Sequence, residues 1–599
     1  MTPMTAPNLA RASAAWPLGG CWLLALCLAT TPGCSTNDGR GGAGGSGGTG
    51  GSGAGAGAGA MGGGAGMPSS GGMGAGASSG AGSGGGGSSN AAGKSNDPTA
   101  GTSGAAGAGA TSGAGGGGGA SGAGGTGGAT GGAATGGAGA GGAASVTDKV
   151  TKSASTYMFK HFPFEVNADG VWNGPTSPAA TPMTTAYDTW VLENGYLKVT
   201  ILPSYGGRIL SILHKPTNRE LLYQNPIGTP YLMQEGIFYY DYLVIMGGIF
   251  PSFPEPEHGK YWNQPYDFEV VSESPEAVTV RMSRKDDKDL AAGVPEKYDV
   301  GRTDVLVQLE VTLRAGSSAL DLSTKLTNTR STAVPSFEYW TVTTLAPGSM
   351  PGQTAIPLDT RILAQMDQVH CLESSWAWFG DAEERVSGEV FKWKNLVQFK
   401  NWADQGTCFA NPKYSANWSG LANDTSHMNY LRVSKNEVTP GLKLWTFGKQ
   451  SLSIDINDAD TWLRPTIEMW HGVTPEFWSR GTLAANEVRT WSDRYFATLG
   501  LQDITAASEN GAAYLSSSAS GSDTVLSAAA TLTLPNQTVK AVLKLGGTVV
   551  AEKDVVVAAD AATTVTATVP SSQAAAGAVF QADFLQGDQT LLSAQTTLK

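Results

Sequence analysis

Histidine is scarce in this chain, six in 599 residues, so an imidazole near a carboxylate stands out as a candidate for moving protons. Glu257-His258 lies in Pro-Glu-Pro-Glu-His-Gly. Glu468 precedes His471 in Ile467-Glu468-Met469-Trp470-His471-Gly472-Val473-Thr474-Pro475-Glu476-Phe477. A carboxylate and an imidazole sharing a site can take a proton from one substrate atom and return one to another. Plainer readings stay open beside this one: Glu468 as a buried carboxylate paired with an arginine such as Arg464, and His471 as a stacked, hydrogen-bonded histidine. The proline-rich context of His258 is a loop, where site residues concentrate. Aromatic faces suit pyranose rings, whose C–H patches pack apolarly while hydroxyls reach polar groups at the rim. Trp262, Trp340, Trp376, Trp378, Trp402, Trp418, Trp470 and Trp478 are candidates; most are expected in the core, with two or three lining a cleft. Arg208, directly after Gly206-Gly207, could hold a hydroxyl or carboxylate in bidentate fashion or could secure its own turn.

Other chemistries find little support. Asp455, Asp458 and Asp460 resemble a calcium loop in composition but lack its Gly and distal Glu, so a turn is expected and no metal. There is no nucleophile elbow, HExxH, Walker loop or dinucleotide fingerprint, and no cofactor is expected. A net charge of −12 and a pI near 5.1 argue against nucleic acid, where affinity comes from cations on phosphates. Polybasic membrane docking is equally unsupported.

The amino terminus reads as an address. Arg11 precedes the apolar run from Cys21 to Ala29, which has the length of a signal-peptide core. Thr31-Pro32-Gly33-Cys34 resembles a bacterial lipoprotein cleavage site, although Thr31 stands where Leu is usual; Cys34 would then be acylated. Residues 1–33 are read as the signal. Localisation is expected to be exported, as an outer-membrane lipoprotein or at the cell surface, with free secretion as the alternative. From Gly41 to Ala144 the chain is almost wholly Gly, Ala, Ser and Thr, which cannot bury enough apolar surface to offset chain entropy. Residues 34–146 are expected to be a disordered tether. Of the remaining cysteines, Cys371 and Cys408 could form a disulfide in an oxidising compartment, and nothing in the sequence fixes their separation.

The elements that must position these groups are strands. From Tyr187 onward, short runs such as Tyr196 to Leu202, Ala277 to Met282 and Asp304 to Leu313 alternate apolar and polar residues and are broken every 8–12 residues by turn formers. No helix-period stretch of 12 or more interrupts them. The fold class is all-β. Residues 147–507 are read as one large two-sheet sandwich. Near Thr505 the aromatics give way to Ala, Thr, Val and Ser, so 508–599 are read as a small immunoglobulin-like β-sandwich, structural or adhesive in role. A monomer is expected.

Three blocks carry a family resemblance. Glu193 to Pro203 followed by Gly206-Gly207-Arg208-Ile209 and Arg219 to Tyr223 resembles the opening of galactose-mutarotase-like proteins. Gly247 to Pro254 with Glu257-His258-Gly259 resembles a subgroup of that superfamily, the domain-of-unknown-function 5107 family. Ile467 to Phe477 resembles the closing block in which mutarotases present a carboxylate. The resemblance covers about 185–505 and implies a β-supersandwich that binds a mono-, oligo- or polysaccharide. It also implies Glu468 as the base that deprotonates the anomeric hydroxyl, with His258 as the acid and His471 as its rival. Arg208, Glu257, Trp262, Tyr339, Trp340 and Trp470 would contact the sugar. One departure weighs against anomer interconversion. Where mutarotases carry a second histidine, this chain has Thr327-Asn328-Thr329-Arg330 and then Phe337-Glu338-Tyr339-Trp340, and Trp supplies a stacking face but no proton at neutral pH. A hydrolase or lyase on the same scaffold is one alternative, with Glu468 and Glu255, Glu257 or Glu476 as paired carboxylates. A non-catalytic glycan binder is the other.

Overall fold

The computed structural model describes residues 148–599 except 162–163, 167–171, 176–180, 226–246, 256–258, 290–299, 346–358, 372–384, 396, 400–405, 412–415, 447–465, 535 and 559–560. The signal, the tether, Cys34, Glu257, His258, Trp376, Trp378, Trp402, Asp455, Asp458, Asp460 and Arg464 lie outside the described residues.

Two large antiparallel sheets make the body. In the longer one, thirteen strands among the described residues run from Thr151–His161 through Met183–Glu193, Leu197–Leu202, Arg208–His214, Ile249–Ser252, Trp340–Leu345, Ile467–Gly472, Gly441–Thr446, Gly406–Asn411 and Gln368–Cys371 to Val390–Lys392 and Arg385–Ser387, with Arg219–Glu220 paired beside Arg208–His214. The second has eight, in the order Thr360–Ala364, Trp418–Asn423, Met428–Val433, Val488–Leu499, Ala319–Asn328, Val305–Arg314, Ala277–Lys285 and Asp267–Glu273. The main core lies between them. It takes Val199, Ile201, Ile209, Met469, Leu442 and Leu444 from the long sheet and Val280, Val307, Leu309, Val311 and Leu322 from the short one. Among the described residues the helical elements are two three-residue 3-10 turns, Lys215–Thr217 and Trp393–Asn395.

Period two in the sequence explains most of this. In Val305–Arg314 every second residue is buried and those between are half-buried or exposed, the mark of a strand with one face on a core. The centre of the long sheet breaks that rule. Trp340–Leu345 and Ile467–Gly472 are buried at every position, so their outer face is covered as well.

The last eight strands, from Ala506–Ser508 to Gln589–Thr597, form two four-stranded sheets around a core of Leu526, Leu543, Val565, Phe580 and Phe584. This small sandwich also shares an apolar cluster with the eight-stranded sheet. Trp418, Leu431 and Phe496 from that sheet pack with Ala512, and Tyr514 and Ala529 lie against the cluster. The sandwich thus covers apolar surface of its neighbour. Cys371 and Cys408 face each other across adjacent strands and are bonded.

Candidate functional site

Strand register places the candidate groups with little freedom, because residues directly opposite in an antiparallel pair share a face and alternate residues take opposite faces. On the outer face of the long sheet, His370, Phe409, Lys443, Trp470, Val342 and Phe250 form one cross-strand row. Two residues further along, Thr407, Trp445, Glu468 and Thr344 form the next row. Two residues the other way lie Gly441, Gly472, Trp340 and Ser252.

Gly472 is there for Trp340, and Gly441 for Trp340 and for the Thr474 carbonyl, which a Cβ there would meet at 2.0 Å. The Trp340 indole lies flat across the two neighbouring strands, and a Cβ at Gly472 would stand 2.5 Å from Trp340 Cδ2, while one at Gly441 would stand 2.7 Å from its far ring edge. Any side chain there would lift the ring. Above this floor the segment 474–480 folds back over the sheet. The Phe477 ring makes edge contacts with Trp340 at 5.1 Å, Phe409 at 5.2 Å and Trp470 at 5.6 Å. The Lys443 ammonium sits 3.8 Å from the Trp470 ring centre and 4.6 Å from that of Phe477, a cation-π arrangement that compensates part of its burial.

Two carboxylates bracket this aromatic cluster in the same way. Trp470 Nε1 donates to Glu468 Oε2 at 2.8 Å, and Trp340 Nε1 donates to Glu338 Oε2 at 3.1 Å. Each is a Glu-x-Trp pair whose alternate spacing puts both side chains on one face. Glu338 also accepts the Trp478 backbone N–H at 2.6 Å and faces Arg480 Nε at 3.6 Å. Burial pushes its carboxyl up to about 7, and the Trp340, Arg480 and Trp478 interactions only partly oppose this. At the other end of the row, His370 Nδ1 lies 3.1 Å from Glu476 Oε1 and Nε2 lies 3.3 Å from Glu389 Oε2.

The expected site residues separate on this map. Glu468, Trp340 and Trp470 share the outer face. His471 takes the opposite face of its strand, where Nε2 lies 2.8 Å from Ser419 Oγ of the second sheet. Burial, aided by Arg432, holds its imidazole well below its ordinary value, so it is neutral. Tyr339 likewise points inward, edge-on to Trp491 at 5.1 Å. Neither can reach a ligand held on the outer face. Arg208 lies on that face but is spent on backbone: Nε, Nη1 and Nη2 donate to the carbonyls of Tyr205, Gly247 and Trp262. Its guanidinium stacks 4.0 Å from the Phe250 ring centre, and burial lowers it to about 10 against the pull of Tyr205, Tyr266 and Glu468. Of the two roles open to it in the sequence, the geometry is that of a turn clamp. Trp262 is buried with Phe159, Leu202 and Tyr205 in a separate cluster. Glu255 is fully buried, and Glu476 is engaged with His370. Trp418 packs in the cluster shared with the small sandwich. No group of three or more His, Cys, Asp or Glu among the described residues could hold a metal.

Accessibility picks out a residue that sequence reasoning missed. Trp340 and Trp470 are 0% exposed, whereas Trp445, directly opposite Glu468, is half-buried, as is Trp478. The signal was in Gly441-Leu442-Lys443-Leu444-Trp445, where the two leucines take the core and Lys443 and Trp445 must share the other side.

The family described as domain of unknown function (DUF5107) matches residues 172–307. That segment carries the strands of the long sheet from Met183–Glu193 to Ile249–Ser252 and stops short of Glu468. Among solved structures, a TPR-domain containing protein from Parabacteroides distasonis is similar at 17% identity and a TM-score of 0.45, over 60% of this chain and 57% of its own length. This chain therefore spans little more than half of that relative. A galactose mutarotase-like protein from Clostridium acetobutylicum is similar at 13% identity and a TM-score of 0.35, over 52% of this chain and 96% of that one. One from Lactobacillus casei is similar at 14% identity and a TM-score of 0.32, over 52% and 99%.

Proposed function

We propose that this protein binds a saccharide on the outer face of its long sheet, with one ring stacked on Trp445 and a hydroxyl on Glu468. The observation that carries the reading is the pairing of those two residues: a buried carboxylate, aimed by the Trp470 N–H, directly across from a half-buried indole. An indole offers the apolar C–H side of a pyranose a flat partner, and a carboxylate accepts hydrogen bonds from hydroxyls or takes a proton from one. In an anomer-interconverting reaction Glu468 would take the proton of the anomeric hydroxyl while His258 protonates the ring oxygen and the ring opens, the two roles reversing on closure. Calorimetry with glucose, galactose, mannose and their β-linked oligosaccharides tests the binding. At least one should bind, and Trp445→Ala should weaken it about tenfold, which is ~1.4 kcal/mol. No heat with any of these sugars would sink the proposal.

The non-catalytic version is favoured by the inward position of His471, which removes one of two acids named for the reaction. Glu468→Gln decides between them. It abolishes turnover in an enzyme, and in a binder it leaves affinity nearly intact with no turnover to lose. We also propose export with acylation at Cys34; labelling of the full chain with a radioactive fatty acid should succeed, and Cys34→Ala should abolish it.

A further inference from the structure

The outer face of the long sheet carries a second aromatic group at its other end, on the paired strands Thr151–His161 and Met183–Glu193. Period two along the first of these sends Thr151, Ser153, Ser155, Tyr157, Phe159 and His161 to one side. Trp190, which packs on the main core and stacks with Phe268 at 5.1 Å, marks the inner side, so Tyr187 and Thr189 face outward with that series. Leu202, opposite Arg208, confirms the side: it clusters with Phe159, Tyr205 and Trp262, and Tyr157 and Tyr187 pack against them. Tyr157 and Tyr187 stand directly opposite each other, and both are half-buried. Each ring leans on a different neighbour. Tyr157 heads a column in which its ring, Phe159 and His161 stack in steps of 5.9 Å, while Tyr187 meets Tyr205 edge-on at 5.8 Å.

Hydroxyls outnumber the bonds made to them here. Among the described residues nothing hydrogen-bonds the hydroxyl of Thr189 or of Tyr205, although these residues are only 2% and 4% exposed. A buried polar group left unpaired costs about 1–3 kcal/mol. Tyr187 adjoins both, two residues from Thr189 on one face and in ring contact with Tyr205. Ser153 and Ser155 are exposed alongside. Charge is kept off this face. Lys152, Lys160 and Asp188 take the opposite side of their strands, Glu193 at one end is paired with Lys215 at 2.7 Å, and the Arg208 donors are spent on carbonyls. At the other end His161 Nε2 lies 2.7 Å from Thr185 Oγ1.

We infer that this patch is a second saccharide contact, which takes one neutral ring of an oligosaccharide against Tyr157 and Tyr187, the Tyr187 ring turning to uncover the Thr189 and Tyr205 hydroxyls for it. The tyrosine rings meet the C–H side of the sugar, and its hydroxyls both donate and accept, as the unpaired ones of the protein require. A phosphate or carboxylate gains nothing from a face whose lysines point away. The choice of ligand rests on the saccharide reading above; the place does not. Six strand spacings, about 29 Å, separate the patch from Trp445 along the sheet, so one ring cannot touch both.

Tyrosine nitration of the full chain, mapped by peptide mass spectrometry, reads the patch directly, with β-linked hexasaccharides of glucose, galactose and mannose as probes. With one of them at about ten times its Kd, nitration of Tyr157 and Tyr187 should slow about tenfold, and equally so in Trp445→Ala. Ser155 is exposed, so Ser155→Arg spares the fold and should abolish the protection by covering the patch. Tyr187→Ala should remove the protection at Tyr157. Unchanged nitration with all three sugars, or protection that persists in Ser155→Arg, overturns the second contact. Calorimetry alongside separates the two sites. Heat that Trp445→Ala weakens, with neither tyrosine protected, overturns the patch and leaves the site at Trp445 standing. Protected tyrosines with heat that Trp445→Ala does not alter support the patch and remove the site at Trp445. Neither heat nor protection overturns both.

Discussion

The strand Ile467–Gly472 buries ionisable groups on both faces, and the two faces treat them differently. Inward, His471 is held by Ser419 and lies near Arg432, whose guanidinium donates to Asp493 at 2.5 Å and to Thr439 Oγ1 at 3.3 Å. These groups are enclosed between two sheets: His471 and Ser419 join one sheet to the other, and Arg432 and Asp493 join neighbouring strands of the short sheet. Outward, Glu468 and Glu338 each take an indole N–H, with half-buried Trp445 opposite Glu468 and half-buried Trp478 and Arg480 beside Glu338. A buried charge among fixed partners in a core is structural, whereas the same type of group beside an opening is placed to meet something from solution. Burial alone does not separate the two cases. What the group faces does.

Breaking the inner side should cost most in stability. Asp493→Asn leaves the Arg432 guanidinium, almost wholly buried, without its carboxylate, and about 3–5 kcal/mol of unfolding free energy should vanish in denaturant titration. Sugar affinity of the folded fraction should be unchanged; a large loss of affinity would blur the division between the faces. On the outer side, Gly472→Ala puts a methyl where the Trp340 ring lies and should cost about 1–3 kcal/mol. That loss should come with a shifted tryptophan emission and weakened sugar binding.

The pH dependence sharpens the contrast. His471 is depressed in the fold, so the unfolded chain gains its proton first and the stability it contributes, present above pH 6.5, is lost as pH falls below that value. Glu338 is raised, so its contribution is present below pH 4.5 and is lost as pH rises through about 7. Melting temperatures of Glu338→Gln should therefore lack the decline between pH 5 and 7.5 that the wild type shows, while retaining its fall in acid. Glu468→Gln should be the mildest of the set in stability, within about 0.5–1.5 kcal/mol, because the amide oxygen can still accept the Trp470 N–H. A much larger loss on unfolding would make Glu468 a structural group and return the outer face to the class of the inner one.

Much of the architecture could be read along the chain, and the reason is local. Val305–Arg314 alternates apolar and polar residues because one face meets a core and the other meets water, and period two is visible without knowing the partner strand. The Ala- and Val-rich strands after Ala506 are equally legible. The site was legible only in part. Glu468 and Trp470 stand two apart and had to share a face, and by the same rule His471 had to oppose them. Which face would be the core was not written in Ile467-Glu468-Met469-Trp470-His471-Gly472, because every position is buried and the alternation that marks a half-solvated strand is absent. Trp445 was missed for a related reason: its importance lies in the residue opposite it, more than twenty positions away.

By itself, then, the sequence determined the all-β class, the strand runs and the pairs of residues that travel together on one face, since these follow from backbone geometry and from where apolar side chains repeat. The tertiary structure alone decided that Arg208 spends its donors on three carbonyls, that Cys371 meets Cys408, and that Phe477 sits on two tryptophans next to Trp478, whose N–H is tied to Glu338. Each of those outcomes depends on the register of strands distant in the chain. Register is set by how whole faces pack together, and no local stretch of residues contains it.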